Sequence, residues 1–360
     1  MALRRALAQA SPAVRDTQGR PIEAAAWAHW PIEPLPDRGL AHLHLRLAGT
    51  GWLARIPKQS QMQLAAADNL RYQAECFRRA ALSGHVPRLH AQLPAREPLP
   101  HGALLVEEVR GRAARLPADL GAIVRSLASL HALPLPAPEA AAPLLHAADP
   151  LRDLLADIET QIEQGGGHAG SDADRALQHE LAQLRSLCAG SARPPRTLIA
   201  FDGHPGNFVV RDDGRAMLVD VEKCRYSYCG LDLAHATLYT STTWDVQVQA
   251  VLSGEALRQA YAHWADAAGQ TLAQAAQPWH GPLARAMWLW SLSWCAKWLA
   301  LSRRAPRLDA DGEDWSAAHS DAALVAHVRE RVLHYLSAAG IACARRGIDE
   351  VQRACDGAIH

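Results

Sequence analysis

Two carboxylates and an amide within one short stretch of the sequence could together support phosphoryl transfer. Asp202 and Asn207 lie five positions apart in a polar loop after an apolar segment, and Asp220 follows a later apolar segment. A polar turn at residues 212–214 precedes that segment, which is typical of a β-hairpin. The first carboxylate could orient and deprotonate an attacking hydroxyl group. The amide and the second carboxylate offer the oxygen ligands that magnesium on nucleotide phosphates prefers.

The spacing of these residues matches the D-x-x-x-x-N loop of kinases, followed by a metal-binding Asp on the next hairpin. Around them the sequence resembles the aminoglycoside phosphotransferase and choline kinase-like family of small-molecule kinases. The family loop H-G-D-x-H-P-G-N reads A-F-D-G-H-P-G-N at residues 200–207, I-D-W-E reads V-D-V-E at 219–222, and D-L-A stands at 232–234. The resemblance implies that ATP donates its γ-phosphoryl group, with Mg²⁺, to a hydroxyl of a small molecule. Asp202 would be the catalytic base, and Asn207 and Asp220 would hold the metal.

The sequence departs from the family pattern directly before Asp202, where Ala200 and Phe201 replace His-Gly. The resemblance gives that His a supporting role in holding the loop, so its loss bears on rate or loop geometry. A catalytically weak or inactive nucleotide-binding regulator is therefore one alternative function. A protein kinase is the other, which the sequence disfavours because no A-P-E-like activation segment follows Asp220.

Length, charge and cysteine content agree with a cytoplasmic enzyme. The 360 residues are long enough for two or more domains, and 37 basic residues balance 37 acidic ones, so we expect neither nucleic acid nor a membrane as a partner. We find no signal-peptide pattern and no apolar stretch of about 18 residues. The seven scattered cysteines lack metal-site spacing and fit free thiols in a reducing compartment.

Alternating residues at 42–47 and an apolar segment at 52–56 predict a strand pair. In the resembling family this hairpin covers the nucleotide, although Gly39 is the one glycine in the segment before it. In the same family, the strand that follows the nucleotide-covering hairpin carries a cation that contacts the phosphates. Arg55 lies inside the strand and Lys58 lies beyond its end, and we choose Arg55 because its planar guanidinium can hold phosphate oxygens in a fixed geometry.

The helix predicted over residues 68–82 should supply a carboxylate that holds this cation in a kinase fold. Glu75 is the nearest candidate, and the register also allows Gln73 as the partner. Residues 107–112 resemble the hinge between lobes, where backbone groups around Val109 would bind the adenine edge. We predict an α+β, two-lobed, protein-kinase-like fold with an N-terminal extension over residues 1–37. A small antiparallel β lobe with the hinge covers residues 38–110, and a large mainly helical lobe covers residues 111–360.

Three tryptophans, Trp290, Trp294 and Trp298, recur at every fourth position and so share one face of a helix. We expect Trp290 and Trp294 to bind the acceptor, because indole faces attract ammonium groups. Packing in the helical core is the alternative. The expected acceptor is therefore an amine-bearing small molecule, such as the amino alcohol choline or an aminoglycoside. Acidic residues at 309–314 could contact a polycationic acceptor or be merely solvated.

Overall fold

The computed structural model describes residues 1–36, 41–165, 171–304 and 321–356. Gly39 and the acidic segment at residues 309–314, both considered above, lie outside these ranges.

The smaller lobe is built on an antiparallel sheet of five strands in the order β1-β2-β3-β5-β4. The β2–β3 turn contains Gly49 and Gly51, both with φ of 73°, a conformation that glycine adopts at little cost. The alternation of residues 42–47 thus forms the predicted strand, and its partner follows directly. The strands are β1 (Ile32–Pro34), β2 (His42–Leu47), β3 (Trp52–Pro57), β4 (Leu89–Leu93) and β5 (Ala103–Glu107).

Helices cover both faces of this sheet. Leu105 of β5 packs in one apolar cluster with Leu7 of α1 (Ala2–Ala10), and its neighbour Leu104 packs in another with Phe77 of α2 (Ala66–Ala80). Successive strand residues point to opposite faces, so the two helices lie on opposite sides of the sheet. Residues 1–36 therefore contribute α1 and the edge strand β1 to the smaller lobe.

Helix α2 is also fastened to the larger lobe through hydrogen bonds. The hydroxyl of Tyr72 donates to the backbone oxygen of Cys224 at 2.7 Å. Near the C-terminal end of the helix, Arg79 donates to the hydroxyl of Tyr226 at 2.9 Å and to the backbone oxygen of Ala141 at 2.7 Å. Helix α2 thus bridges the two lobes.

The larger lobe is mainly helical. Its centre is α10, which buries apolar residues along most of its length against the surrounding helices. Ser171 and Ser253 cap α5 and α8 by accepting a backbone N–H of the first turn. The helices are α3 (Leu120–His131), α4 (Pro150–Gly165), α5 (Asp172–Ala189), α6 (Cys229–Thr237), α7 (Tyr239–Thr242), α8 (Gly254–Ala268), α9 (Gln270–Ala276), α10 (His280–Leu301), α11 (Ala322–Tyr335) and α12 (Ala338–Asp356). Within the described ranges, every helix is too short or too polar to cross a membrane.

The predicted hairpin before Asp220 is present in the larger lobe. Strands β8 (Phe208–Val210) and β9 (Ala216–Leu218) pair antiparallel, and β6 (Arg112–Ala113) joins the outer edge of β8. Strand β7 (Arg196–Ile199) pairs with β10 (Arg225–Tyr228) in a separate ribbon. A small antiparallel lobe and a large helical lobe confirm the predicted two-lobed, kinase-like fold.

Candidate active site

A cleft of about 680 Å³ lies between the two lobes and is lined by side chains from both. The smaller lobe and hinge contribute Arg55 and Val109, and the larger lobe contributes the loop and hairpin that the sequence singled out. The predicted site residues in the lining are Arg55, Val109, Asp202, Asn207, Asp220, Trp290 and Trp294.

A buried chain of hydrogen bonds holds the loop before Asp202. The carboxylate of Asp232, near the start of α6, accepts the backbone N–H groups of Ala200 at 2.7 Å and Phe201 at 2.8 Å. Nε2 of His131 lies 3.1 Å from the same carboxylate, and Nδ1 of His131 accepts the indole N–H of Trp264 at 3.0 Å. The bond from Trp264 places the imidazole proton on Nε2, which donates to Asp232. Asp232 thus braces the loop through backbone hydrogen bonds, and His131 extends this network.

Phe201 occupies the left-handed region of backbone space with φ of 60°. The family pattern has glycine here, the residue for which that conformation costs least. In this chain the Phe201 ring is buried under the guanidinium of Arg225, 3.7 Å from the ring centroid, and lies edge-on to Trp290 at 5.2 Å. The ring contacts therefore compensate for the backbone strain and tie the loop to α10.

Asp202 is held in an ion pair that the sequence did not predict. Nζ of Lys223 lies 2.7 Å from Oδ2, and Nδ1 of His235 lies 3.8 Å from Oδ1. Burial alone would raise the pKa of Asp202, but the charge of Lys223, with contributions from His204 and His235, lowers the pKa below its usual value. Asp202 is thus a carboxylate at neutral pH. Lys223 follows Asp220 by three positions in the sequence, but that local spacing does not indicate the pairing.

The two candidate metal ligands are positioned by one backbone contact. Asn207 ends a short 3-10 helix, and its Nδ2 donates to the backbone oxygen of Asp202 at 2.8 Å. The backbone oxygen of Asn207 accepts the N–H of Val219 at 2.9 Å, which places Asp220 beside the loop. With Nδ2 committed to a carbonyl, Oδ1 is the amide atom that can bind a cation.

Arg55 reaches Asp220 from the opposite lobe. Its NH2 group lies 2.5 Å from Oδ1 of Asp220 and 3.0 Å from Nδ1 of His42, and only 2% of the residue is exposed. Burial tends to raise the pKa of Asp220, and the charge of Arg55 outweighs it and holds the pKa well below the usual range. Nε of Arg55 has no hydrogen-bond partner in the described part of the chain. The choice of Arg55 over Lys58 agrees with the cleft lining, in which Lys58 does not occur.

Glu75 does not lie against Arg55, contrary to our expectation. Its carboxylate pairs with two arginines of its own helix, Arg79 at 2.7 Å and Arg78 at 3.2 Å. Gln73, the other candidate, lies on the buried side of α2 and contacts His42, which in turn lies beside Arg55. Its Oε1 lies 3.0 Å from Nε2 of His42.

Glu222 completes this buried cluster. Its Oε2 accepts from Nε2 of Gln73 at 3.3 Å and lies 3.4 Å from Nε2 of His42. Burial, followed by the neighbouring charge of Asp220, raises the pKa of Glu222 to about 8.

Two sets of side chains could ligate a metal ion. Ligand atoms of His42, Asp220 and Glu222 lie within 4.8 Å of one another. Both ring nitrogens of His42, however, already lie within hydrogen-bonding distance of other side chains. The oxygens of Asn207 and Asp220 are hard ligands of the kind that magnesium prefers, and they fit that ion better than an imidazole does.

Val109 and two of the three tryptophans line the cleft. Val109 lies between β5 and β6 and lines the cleft. Trp290 and Trp294 are partly buried and also line the cleft, whereas Trp298 is 3% exposed and packs in the core of the larger lobe. Trp244, which the sequence did not single out, lies edge-on to Trp294 with ring centroids 5.6 Å apart. Trp290, Trp294 and Trp244 therefore make this part of the cleft aromatic.

The fold and the site define a kinase-like phosphotransferase. The sequence model of the phosphotransferase enzyme family (APH) matches residues 42–265. The chain belongs to this family. A search of curated proteins gave no match.

Solved structures with the same fold include kinases of small molecules. A choline/ethanolamine kinase family protein from Mesorhizobium loti is 16% identical, with 91% of this chain and 95% of that one covered and a TM-score of 0.59. An ethanolamine kinase from Plasmodium vivax is 12% identical, with 91% and 86% covered and a TM-score of 0.60. The GDP complex of an aminoglycoside 2'-phosphotransferase-IIIa is 18% identical, with 84% and 93% covered and a TM-score of 0.52.

Proposed function

We propose that this phosphotransferase moves the γ-phosphoryl group of ATP to a hydroxyl group of a small molecule that carries an amine. The observation that supports the proposal most directly is the convergence of Asp202, Asn207 and Asp220 on one wall of the cleft between the lobes. The similar structures named above are those of choline, ethanolamine and aminoglycoside kinases, one of them with a bound guanine nucleotide.

Asp202 is the group that orients and deprotonates the acceptor hydroxyl. Its lowered pKa makes it a weak base, so orientation of the hydroxyl contributes more than removal of its proton at the start of the reaction. Lys223 keeps one carboxylate oxygen fixed, which leaves Oδ1 to accept from the hydroxyl.

Asn207 and Asp220 would hold Mg²⁺ with the nucleotide. When bound, the ion neutralises charge on the transferring phosphate. Arg55 contributes its guanidinium to the phosphates from the opposite lobe, with Nε as a donor still to be satisfied. The backbone around Val109 would bind the adenine edge at the hinge.

Charge and aromatic rings favour an amine in the part of the cleft that Trp290, Trp294 and Asp245 line. Trp290 and Trp294 present indole rings, and a cation held against such a ring gains about 0.5 to 2 kcal/mol. The carboxylate of Asp245 lines the same cleft. It packs directly against the catalytic loop, since a Cβ atom built on Gly206 would lie 2.8 Å from its Oδ2.

A screen of hydroxyl acceptors, coupled to ADP release, tests the proposal. Amino alcohols and aminoglycosides should be phosphorylated in preference to neutral sugars and polyols of similar size. ATP binding without turnover on any acceptor would instead support the nucleotide-binding regulator. Phosphorylation of peptides alone would support a protein kinase.

A further inference from the structure

The guanidinium group of Arg55 is held by two histidines of the neighbouring strand. Its NH2 group lies 3.0 Å from Nδ1 of His42, and its NH1 group lies 3.4 Å from Nε2 of His44. Strand β2 carries both histidines two positions apart, so their side chains lie on the same face of the sheet, beside β3. In a kinase fold a carboxylate of the following helix would hold this cation. Here β2 supplies two imidazole rings to it.

The contact with Arg55 fixes the place of the proton on the His42 ring. A guanidinium group has no acceptor and keeps its charge in proteins, so Nδ1 of His42 accepts from Arg55 and carries no hydrogen. The ring proton is therefore on Nε2, which donates to Oε1 of Gln73 at 3.0 Å. The amide nitrogen of Gln73 donates in turn to Oε2 of Glu222 at 3.3 Å. A neutral His42 thus links α2 to Arg55.

This chain of contacts is buried and lies beside a candidate metal ligand. His42, Arg55 and Gln73 are 3%, 2% and 1% exposed, so water cannot readily replace a lost partner. His42, His44 and Arg55 line the cleft. The NH2 group that contacts His42 also lies 2.5 Å from Oδ1 of Asp220. The direction in which His42 holds Arg55 therefore bears on the place where phosphates would bind.

We infer that His42 is a positioning residue, which transmits the hold of α2 to Arg55 in place of the carboxylate that a kinase fold would use. The inference rests on the proposed function, in which Arg55 binds the phosphates, and deepens it. A neutral imidazole fixes the direction of the guanidinium and adds no negative charge beside the phosphates. Arg55 should therefore attract them more strongly than it would with a glutamate in the same place.

Two probes that differ in their phosphates test this role. ATP and adenosine are titrated calorimetrically, with magnesium, into the wild-type protein and into His42→Leu. Because His42 acts through Arg55, the variant should bind ATP at least about tenfold more weakly and adenosine about as well as the wild type does. An equal loss for both probes would indicate a general disturbance of the smaller lobe and overturn the inference.

Two further variants guard against a merely structural effect. His42→Asn keeps a side-chain oxygen that can accept from the guanidinium near the position of Nδ1, so it should recover part of the ATP affinity. His90→Leu changes an exposed histidine of the same sheet outside the cleft lining, and should bind both probes as the wild type does. ATP affinity as low in His42→Asn as in His42→Leu would count against the imidazole as an acceptor.

A double-mutant cycle shows whether His42 acts through Arg55. ATP affinity is measured in His42→Leu, in Arg55→Met and in the protein that carries both changes. The double variant should bind ATP as weakly as Arg55→Met alone, because His42 has no guanidinium left to position. Losses that add in the double variant would show that His42 acts independently of Arg55 and reject the inference.

Turnover separates this inference from the proposed reaction. With a phosphorylated acceptor, His42→Leu should raise the KM for ATP by at least about tenfold and change kcat less. An unchanged KM would reject the inference and leave the proposed function in place. The expected binding pattern without turnover on any acceptor would support the positioning role and reject the phosphotransfer. A wild-type protein that binds no ATP would reject both.

Discussion

The ammonium group of Lys223 lies 2.7 Å from Oδ2 of Asp202, so the proposed base is part of an ion pair. Both side chains are largely buried, with 11% and 18% exposed. The charge of Lys223 is the largest favourable influence that keeps Asp202 ionised, while burial acts against it. This pair sets the ionisation of the proposed base.

Removal of this ammonium should change the pH dependence of the reaction. Lys223→Met deletes the charge that lowers the pKa of Asp202, so that pKa should rise and the acid limb of the kcat/KM profile should move to higher pH. Asp202 is active when ionised, so activity is lost as pH falls through its pKa and the loss now occurs at a higher pH. Lys223→Arg keeps the charge and should keep the limb in place. An unchanged acid limb in Lys223→Met would show that Asp202 does not control it.

Asp202→Asn should abolish turnover and leave ATP binding nearly intact. The side chain should contact the acceptor hydroxyl and not the nucleotide, so the loss falls on the chemical step, by at least about a hundredfold in kcat. Steady-state kinetics with the best acceptor from the screen measures turnover, and calorimetry measures ATP affinity. Near wild-type turnover would show that Asp202 is not the base.

Nucleotide should bind together with magnesium through Asn207 and Asp220. Calorimetric titration with ATP, with and without Mg²⁺, should show at least about a tenfold gain from the metal in the wild-type protein. Asp220→Ala should lose that gain, because one carboxylate ligand is gone. Asp220→Asn is titrated as a second variant, because it removes the charge but keeps an oxygen that can accept a hydrogen bond from the buried Arg55. ATP affinity that is independent of magnesium and unchanged in Asp220→Ala would reject the metal assignment.

Phe201→Gly restores the glycine of the family pattern and should nevertheless destabilise this protein. The ring lies 3.7 Å from the Arg225 guanidinium and packs on Trp290, and loss of a buried phenylalanine costs about 3 to 5 kcal/mol. Relief of the left-handed backbone conformation returns about 1 kcal/mol in the glycine variant. Denaturant unfolding should therefore rank wild type above Phe201→Gly, and Phe201→Gly above Phe201→Ala. A glycine variant as stable as the wild type would show that the ring contributes no more than the relieved strain of about 1 kcal/mol.

Gln73 and Glu75 should differ sharply in their importance. Gln73→Leu removes the amide that contacts the buried His42 and Glu222, and should lower the free energy of unfolding by about 1 to 3 kcal/mol. Glu75→Gln loses half-buried pairs with arginines of its own helix, worth about 0 to 1 kcal/mol, and should leave ATP affinity unchanged. Urea unfolding and ATP titration of both variants measure this. Weakened ATP binding in Glu75→Gln would restore the original assignment.

Local spacing predicted the parts of the site that lie close together in the chain. The loop from Asp202 to Asn207 and the hairpin before Asp220 form one contiguous segment. The turns in this segment are formed by residues within it, so the local sequence is enough to predict them. The strand position of Arg55 followed from the apolar segment at residues 52–56, which comes directly after the alternating strand at residues 42–47. The two-lobed architecture was predicted from the resemblance of these motifs to the small-molecule kinase family.

Contacts between distant segments were not predictable in this way. Helical periodicity allowed either Gln73 or Glu75 to face inward, and the choice depends on how α2 packs against residues 222–224. The pairing of Lys223 with Asp202 requires the chain after the hairpin to turn back over the loop, which no local pattern encodes. The positive φ of Phe201 likewise depends on Arg225 and Trp290.

The anchoring of α2 has a mechanical consequence for how the cleft opens. A movement that separated α2 from the larger lobe would break the bonds from Tyr72 and from Arg79 at once. The five-stranded sheet makes a polar contact of its own with the larger lobe, between Arg55 of β3 and Asp220. The sheet and α2 are thus joined to the larger lobe by separate sets of polar contacts. A bound phosphate that competed for the Arg55 guanidinium would weaken the contact of the sheet and leave those of α2 in place.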